Sequence, residues 1–209
     1  MTASDDRLSR WNRYWDKKSR NYDREMGFFD RHLFGNSRQW ACSQASGAVL
    51  EVAVGTGLNL TFYPDDVTVT GIDWSQGMLD LARQRAANLG RTVDLRQADA
   101  HHLPFTDASF DTVVCTFGLC AIPDDAQALA EMTRVLRSGG NLILVDHIES
   151  SSAPVRIVQR LLEGVTVPLG GEHFMRRPLT LIRRSAALTV TQVQRFHLGL
   201  VERVTARKN

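Results

Sequence analysis

The sequence predicts an α/β fold: a doubly wound sheet of seven mostly parallel strands, with a C-terminal antiparallel hairpin and an N-terminal helical cap. Apolar, β-branched runs alternate with helical patterns between Ala48 and Val145, which is typical of parallel strands joined by crossover helices. A turn with two glycines, Gly55 and Gly57, follows the first run. The C-terminal residues instead alternate apolar and polar side chains around residues 197–199, which favours an antiparallel pair.

The N-terminal segment, from residue 5 to about residue 40, has a helical pattern. Leu8, Trp11, Trp15 and Tyr22 recur there at spacings of three, four and seven. Two interpretations of this helix are open. Its aromatic side chains lie beside arginines, so it could rest in a membrane interface. It could equally be a lid that packs those aromatics on its own domain.

The rest of the chain divides into strands and helices by composition and by capping signals. Seven β-branched or alternating runs are predicted as strands, at residues 48–53, 67–72, 92–97, 110–116, 141–145, 189–198 and 201–207. Helices are predicted at residues 58–63, 76–89, 123–137, 155–163 and 178–187, and a loop at residues 165–174. Ser75 is a favourable N-cap for the second helix, which Gly90 ends.

Composition narrows the classes of function. The content of 43% apolar and 23% charged residues is ordinary for a soluble globular domain, and no apolar stretch reaches the roughly 18–20 residues of a membrane span. Three cysteines without a Cys-x-x-Cys pair predict a reducing, cytoplasmic setting with no disulfide, and no His/Cys cluster has metal-ligand spacing. The N-terminus lacks the basic and apolar pattern of a signal peptide.

The net charge of +2 is unevenly distributed, because residues 174–209 carry eight basic side chains against Glu202 alone. This region is either a solvated face or a surface for anionic lipid or an acidic substrate. Nucleic acid is not an expected partner, because the sequence has no reader motif.

Side chains at the predicted strand ends suggest an adenosine-containing ligand. In an open parallel sheet, ligands bind at the carboxyl ends of the strands. Asp73 ends the second strand and could accept hydrogen bonds from ribose hydroxyls, while Asp99 follows the third and could accept from an adenine amine. Trp74 and Met78 could pack against the purine. Leu60 replaces the third glycine of the dinucleotide fingerprint, which weakens an NAD(P) interpretation.

These residues resemble the motifs of class I S-adenosylmethionine-dependent methyltransferases, which have a Rossmann-like sheet. The first motif is similar to residues 49–57 (VLEVAVGTG), and the second to residues 71–73 (GID). The third is similar to residues 98–100 (ADA), and residues 135–140 (VLRSGG) resemble the segment before the fifth strand. Ala53 departs from the family's usual glycine.

The resemblance implies S-adenosylmethionine as cofactor and a set of cofactor-binding positions. Those positions are Tyr14, Tyr22, Glu51, Ala53, Gly55, Gly57, Asn59, Asp73, Trp74, Met78, Asp99, Ala100 and Thr116. It also implies a single methyltransferase domain over residues 1–209. In that domain, residues 1–45 form the lid, 46–150 the cofactor-binding core, and 151–209 the acceptor-side helices and closing hairpin.

The expected acceptor is a small molecule or lipid with an amine, thiol or hydroxyl group. Within the class, the chain resembles bacterial phosphatidylethanolamine N-methyltransferases and alkyl thiol methyltransferases, and more distantly the quinone C-methyltransferases. His147, just past the fifth strand, is the first candidate for a general base, ahead of His102, His101 and His173. An NAD-dependent oxidoreductase and a non-catalytic adenosine-binding module are the alternatives.

Overall fold

A single seven-stranded sheet organises the protein in this computed structural model, which describes the backbone of residues 3–209 and the side chains of residues 8–209. The strand order is β3-β2-β1-β4-β5-β7-β6. The strands are β1 (Ala48–Val52), β2 (Thr68–Asp73), β3 (Asp94–Gln97), β4 (Phe110–Thr116), β5 (Leu136–His147), β6 (Leu188–Phe196) and β7 (Val201–Lys208). The helices are α1 (Ala3–Phe29), α2 (Ser37–Cys42), α3 (Gln76–Asn88), α4 (Asp125–Val135), α5 (Ala153–Gly170) and α6 (Pro178–Arg184).

The strand pairing confirms the predicted fold class. The first five strands pair in parallel, and β7 pairs antiparallel to both β5 and β6. The turn between β6 and β7 places Leu198 and Gly199 at positive φ, and Leu200 donates its N–H to the His197 carbonyl, the geometry of a tight hairpin. Strand order reverses between β1 and β4, so a cleft opens at their carboxyl ends.

Both faces of the sheet are covered, and alternate strand residues supply the two cores. Val113 and Cys115 on β4 pack with the apolar residues of α4 and α6. Val114, between them, points to the other face and packs with Ala41 and Cys42 of α2. This two-sided burial explains why the central strands are nearly continuous apolar runs.

The N-terminal segment is not the single helix that was predicted. A π-helical turn, Asp30–Phe34, ends α1, and Gly35 follows at a φ of +57° before α2 begins. The Gly35 N–H donates to the Asp30 carbonyl, which closes the turn. Glycine adopts positive φ at little steric cost, so the direction of the chain changes here.

Three other predicted elements are wrong in type or length. Residues 58–63 form consecutive turns instead of a helix, because the Asn59 side chain is bonded to Glu51 and Thr116. Helix α5 continues through the expected loop to Gly170. Strand β5 begins at Leu136, earlier than the predicted start at residue 141. The glycines at residues 139–140, expected to lie between the helix and the strand, are in an irregular part of its pairing with β4.

Helix α1 is held against the domain through its aromatic side chains. The Trp15 indole donates to the Gly170 carbonyl at 2.9 Å, and the Tyr14 ring lies on Gly170. Trp11 is only 5% exposed and lies against Gly171. On the other side of the helix, the Asp16 carboxylate accepts the Gly77 N–H at the start of α3. The aromatics therefore face the protein.

We expect Gly171→Ala to lower the free energy of unfolding by about 2–4 kcal/mol. Gly171 has a φ of +73°, and a Cβ there would lie 2.8 Å from the Trp11 ring, so strain and overlap add. Urea denaturation measures the change. Gly164→Ala, in the same helix with no atom within 4 Å of the added carbon, is the control and should stabilise by roughly 0.5–1 kcal/mol. Equal midpoints for both variants would contradict this account of the α1–α5 contact.

No helix of the described part of the chain is both long and apolar enough to cross a membrane. The three cysteines are buried and free.

Candidate functional site

An open cleft of about 770 Å³ lies at the carboxyl ends of β1, β2, β3 and β4. Its lining residues come from four strand ends and from one face of α1. They are Asn12, Trp15, Tyr22, Ala53, Gly55, Ile72, Asp73, Trp74, Ser75, Met78, Ala98, Asp99, Ala100, His101, Phe117, Gly118, Ala121, Ile122 and Pro123. Eight predicted binding positions are therefore brought together here.

The glycine turn after β1 supplies one wall and leaves backbone open to a ligand. Gly55 has a φ of +57°, and a Cβ there would have only the Tyr22 ring within 4 Å. Gly57, at a φ of +79°, has a structural reason to be glycine, because a Cβ would lie 2.9 Å from the Leu60 side chain. Leu60 is fully buried and packs where the dinucleotide motif would require a third glycine.

Asp73 joins the glycine turn to the start of α3. One carboxylate oxygen accepts the Gly55 N–H at 2.8 Å, and the other accepts the Ser75 N–H at 2.9 Å. Burial raises the pKa of Asp73 to about 6, although these backbone donors oppose the rise. Each oxygen keeps a lone pair, so the side chain can still accept hydrogen bonds from a ligand in the cleft.

Asp99 forms the opposite side of the cleft, between two small residues. Its carboxylate accepts the His101 N–H at 2.9 Å and lies 2.6 Å from the His101 imidazole. Trp74 and Met78 line the same cleft as Asp99 and Asp73. A flat ring placed there would have apolar surface against its face and a carboxylate at its edge.

A buried polar network lies beneath the glycine turn. Glu51 accepts from Asn59 at 2.7 Å and from the Tyr63 hydroxyl at 2.9 Å, and Asn59 also donates to Thr116 at 2.8 Å. Burial raises the pKa of Glu51 to about 7, against the lowering effect of its hydrogen bonds. None of Glu51, Asn59 and Thr116 lines the cleft, so the network orders the turn from below.

Arg38 completes this network and was not found by the sequence reasoning. The guanidinium bonds Asn59 and Thr116, pairs with Asp30, and lies 4.9 Å from the centre of the Phe117 ring. Within the described residues its buried Nη2 atom has no hydrogen-bond partner. A buried donor without a partner is costly, so this nitrogen is suited to an anionic group of a ligand.

Two other predicted residues lie outside the cleft. Tyr14 packs on Gly170. His147 is buried, its ring stacks on Phe174 at 4.7 Å, and its Nε2 lies 3.8 Å from Glu172. Burial alone would lower the pKa of His147, but the nearby carboxylates of Glu172 and Asp146 outweigh it and raise the pKa.

Further lining residues come from α1 and from the segment after β4. Asn12 donates to the Trp74 carbonyl at 3.2 Å, which fixes α1 across the mouth of the cleft. Gly118 faces Ala53, since a Cβ on Gly118 would lie 2.6 Å from the Ala53 methyl group. Only the residues after β4 could be located from the sequence, because residues 116–120 follow a predicted strand end.

Comparison with known proteins gives consistent results. Residues 50–144 match the family described as "Methyltransferase domain". The chain is 42% identical over 126 residues to a phosphatidylethanolamine N-methyltransferase of Cereibacter sphaeroides, covering 59% of this chain and 62% of that protein. It is 34% identical over 170 residues to a demethylmenaquinone methyltransferase of Lactiplantibacillus plantarum, covering 77% and 72%.

The chain spans less than two thirds of the length of several relatives, with shares of 62%, 57% and 54%. Among solved structures, a SAM-dependent methyltransferase of Thermotoga maritima aligns over 93% of this chain and 100% of its own, with a TM-score of 0.68 and 23% identity. At this identity, the likeness shows a shared fold and nothing more.

Proposed function

Because the chain belongs to the S-adenosylmethionine-dependent methyltransferase family, we propose that it binds S-adenosylmethionine in the strand-end cleft and transfers the methyl group to a small-molecule or lipid acceptor. The observation that carries the proposal is the pair of carboxylates, Asp73 and Asp99, at or just past the ends of neighbouring strands, in a cleft that Trp74 and Met78 also line. This arrangement fits a ribose next to a purine.

The remaining residues fit the other parts of the cofactor. Gly55 offers open backbone beside Tyr22, and Arg38 has a buried, unpartnered nitrogen on the Phe117 side of the network. The bound cofactor supplies an activated methyl group on a sulfonium. The protein then has to align an acceptor and exclude water, and alignment alone can contribute roughly 7–11 kcal/mol. The wall formed by α1 limits access of water to the cleft.

The acceptor class rests on the relatives and on the lining of the cleft. The two matched enzymes are named for methylating an amino-phospholipid and a quinone precursor. The resemblance noted in the sequence adds thiols. Phe117, Ala121 and Ile122 add apolar side chains to the lining of the cleft, which suits a lipophilic acceptor. An amine, thiol or hydroxyl acceptor is our first proposal and a quinone-type carbon acceptor the second.

We retain His147 as the candidate base for an acceptor that must lose a proton. The carboxylates around His147 raise its pKa, and the neutral, basic form increases as pH rises through that pKa. A wild-type rate that rises with pH in this range, and a flat profile for His147→Gln, would support the role. Identical profiles would remove His147 from the mechanism.

Calorimetry with S-adenosylmethionine, S-adenosylhomocysteine and NAD tests the binding proposal, and a panel of amines, thiols, phenols and quinones tests transfer. We expect both sulfur ligands to bind and NAD not to. Binding of NAD alone would indicate an oxidoreductase. Binding of the sulfur ligands without transfer to any acceptor in the panel would favour a non-catalytic module.

Ala53→Gly is expected to leave S-adenosylmethionine binding equal or tighter, and to raise the free energy of unfolding by at most about 1 kcal/mol. Ala53 has a φ of +58°, where a methyl group is strained, although glycine adds entropy to the unfolded chain. Calorimetry and urea denaturation measure the two effects. Ala108→Gly is the control, since Ala108 has a φ of +51° and does not line the cleft. It should change stability alone, and weaker binding by Ala53→Gly would contradict the account.

A further inference from the structure

Helix α5 has an exposed face that is almost wholly aliphatic. Its large apolar side chains recur at spacings of three and four, and most are more than half exposed. They are Ile157, Val158, Leu161, Leu162, Val165 and Leu169, with exposures of 60%, 54%, 72%, 47%, 59% and 52%. Arg160 is the one charged side chain on this exposed face. A face of this kind is unusual for a surface in contact only with water.

Helix α1 has an exposed basic face. Its members recur at spacings of three and four, so they lie along one side of the helix, and each is exposed. They are Arg10, Arg13, Lys17, Arg20 and Arg24. None of them forms an ion pair with another described residue. Among side chains 8–209 of α1 and α5, the exposed acids are Asp23 and Glu25, and they pair with Arg85 and Lys18.

The two faces meet at the C-terminal end of α5. Tyr14 and Trp15 of α1 contact Gly170, the last residue of α5. Arg10 and Lys17 are the helical neighbours of Tyr14, four residues before it and three after it. Leu169 and Val165 are exposed on the last turns of α5. Cations thus border the aliphatic face.

We propose that α5 and the basic face of α1 form a docking surface for an anionic phospholipid membrane. Aliphatic side chains can enter the boundary between headgroups and acyl chains while neighbouring cations bind lipid phosphates. Charge complementarity favours a membrane over a second copy of the chain. A second copy would bring the same cations to the interface, and the exposed acids among side chains 8–209 of these two helices are already paired. The inference does not depend on methyl transfer.

Vesicle flotation of the full chain tests the proposal. Vesicles of phosphatidylcholine with about one third phosphatidylglycerol should carry the protein upward at low salt, and pure phosphatidylcholine should carry much less. Leu161→Glu/Val165→Glu should reduce binding tenfold or more. Arg13→Gln/Lys17→Gln should reduce it by roughly twentyfold, since each cation near an anionic surface contributes about fivefold.

The controls are exposed residues away from this surface. Leu89→Glu, on the cap of α3, matches the apolar change, and Arg183→Gln/Arg184→Gln, on α6, matches the charge change. Both should float like the wild type. Urea denaturation of each variant reports folding without any ligand, so a loss of flotation alone is attributable to the surface.

Three results would overturn the proposal. The first is wild-type protein that does not bind anionic vesicles at low salt. The second is variants of the surface that float as well as the wild type. The third is a dimer, seen by light scattering, that Leu161→Glu/Val165→Glu converts to a monomer. The last result would assign the aliphatic face to a second copy of the chain.

Discussion

Asp73→Ala is expected to weaken S-adenosylmethionine binding about a hundredfold or more. The carboxylate bonds the backbone N–H groups of Gly55 and Ser75, so its loss frees both the glycine turn and the start of α3. It would also remove the acceptor for ribose hydroxyls, and each hydrogen bond to a charged group contributes roughly 1.5–3 kcal/mol. Calorimetric titration measures the change.

A matched control for this change lies just before the same strand. Asp66 is exposed and precedes β2 at its N-terminal end, far from the cleft. Asp66→Ala should bind as the wild type does. If Asp73→Ala bound S-adenosylmethionine within threefold of the wild type while remaining folded, the assignment of the cleft would be wrong.

Glu51→Gln is expected to stabilise the protein above neutral pH and to have little effect near pH 5. Burial raises the pKa of Glu51 from 4.5 to about 7 in the folded protein. A carboxyl group whose pKa is higher in the folded protein than in the unfolded protein contributes stability that is fully present below the unfolded-state pKa. That contribution is lost as pH rises through the folded-state pKa. The wild type should therefore lose up to about 3 kcal/mol relative to the variant between pH 5 and pH 8.

Urea denaturation of the ligand-free protein at several pH values measures this difference. Glu131→Gln is the control, because the hydrogen bond from Arg134 lowers the pKa of Glu131. Glu131 loses its contribution to stability only in acid. The difference in free energy of unfolding between Glu131→Gln and the wild type should therefore stay constant between pH 5 and pH 8. A flat difference for Glu51→Gln as well would mean that Glu51 is ionised in the folded state.

The ends of the strands were predictable because topology brings them together. Parallel strands joined by right-handed crossovers end at one edge, so Asp73 and Asp99 had to meet whatever the loops did. The same reasoning located Trp74, Met78 and the residues after β4. The hairpin was predictable from alternation and from Gly199 alone.

Residues fixed by contacts between distant segments were not predictable. Arg38 lies in a short helix after a change of chain direction at Gly35, and nothing local indicates that it reaches Thr116. The predicted helix at residues 155–163 is too short, because α5 continues to Gly170, where Gly170 and Gly171 pack on α1. Local propensity is a weak guide where tertiary contacts decide.

The position of α1 bears on how long a ligand stays bound. Asn12, Trp15 and Tyr22 form one side of the cleft, yet α1 is attached mainly through its contacts with Gly170, Gly171 and the start of α3. Opening these contacts is a local event that does not require the sheet to unfold. We therefore expect amide hydrogen exchange in α1 to slow when a ligand fills the cleft.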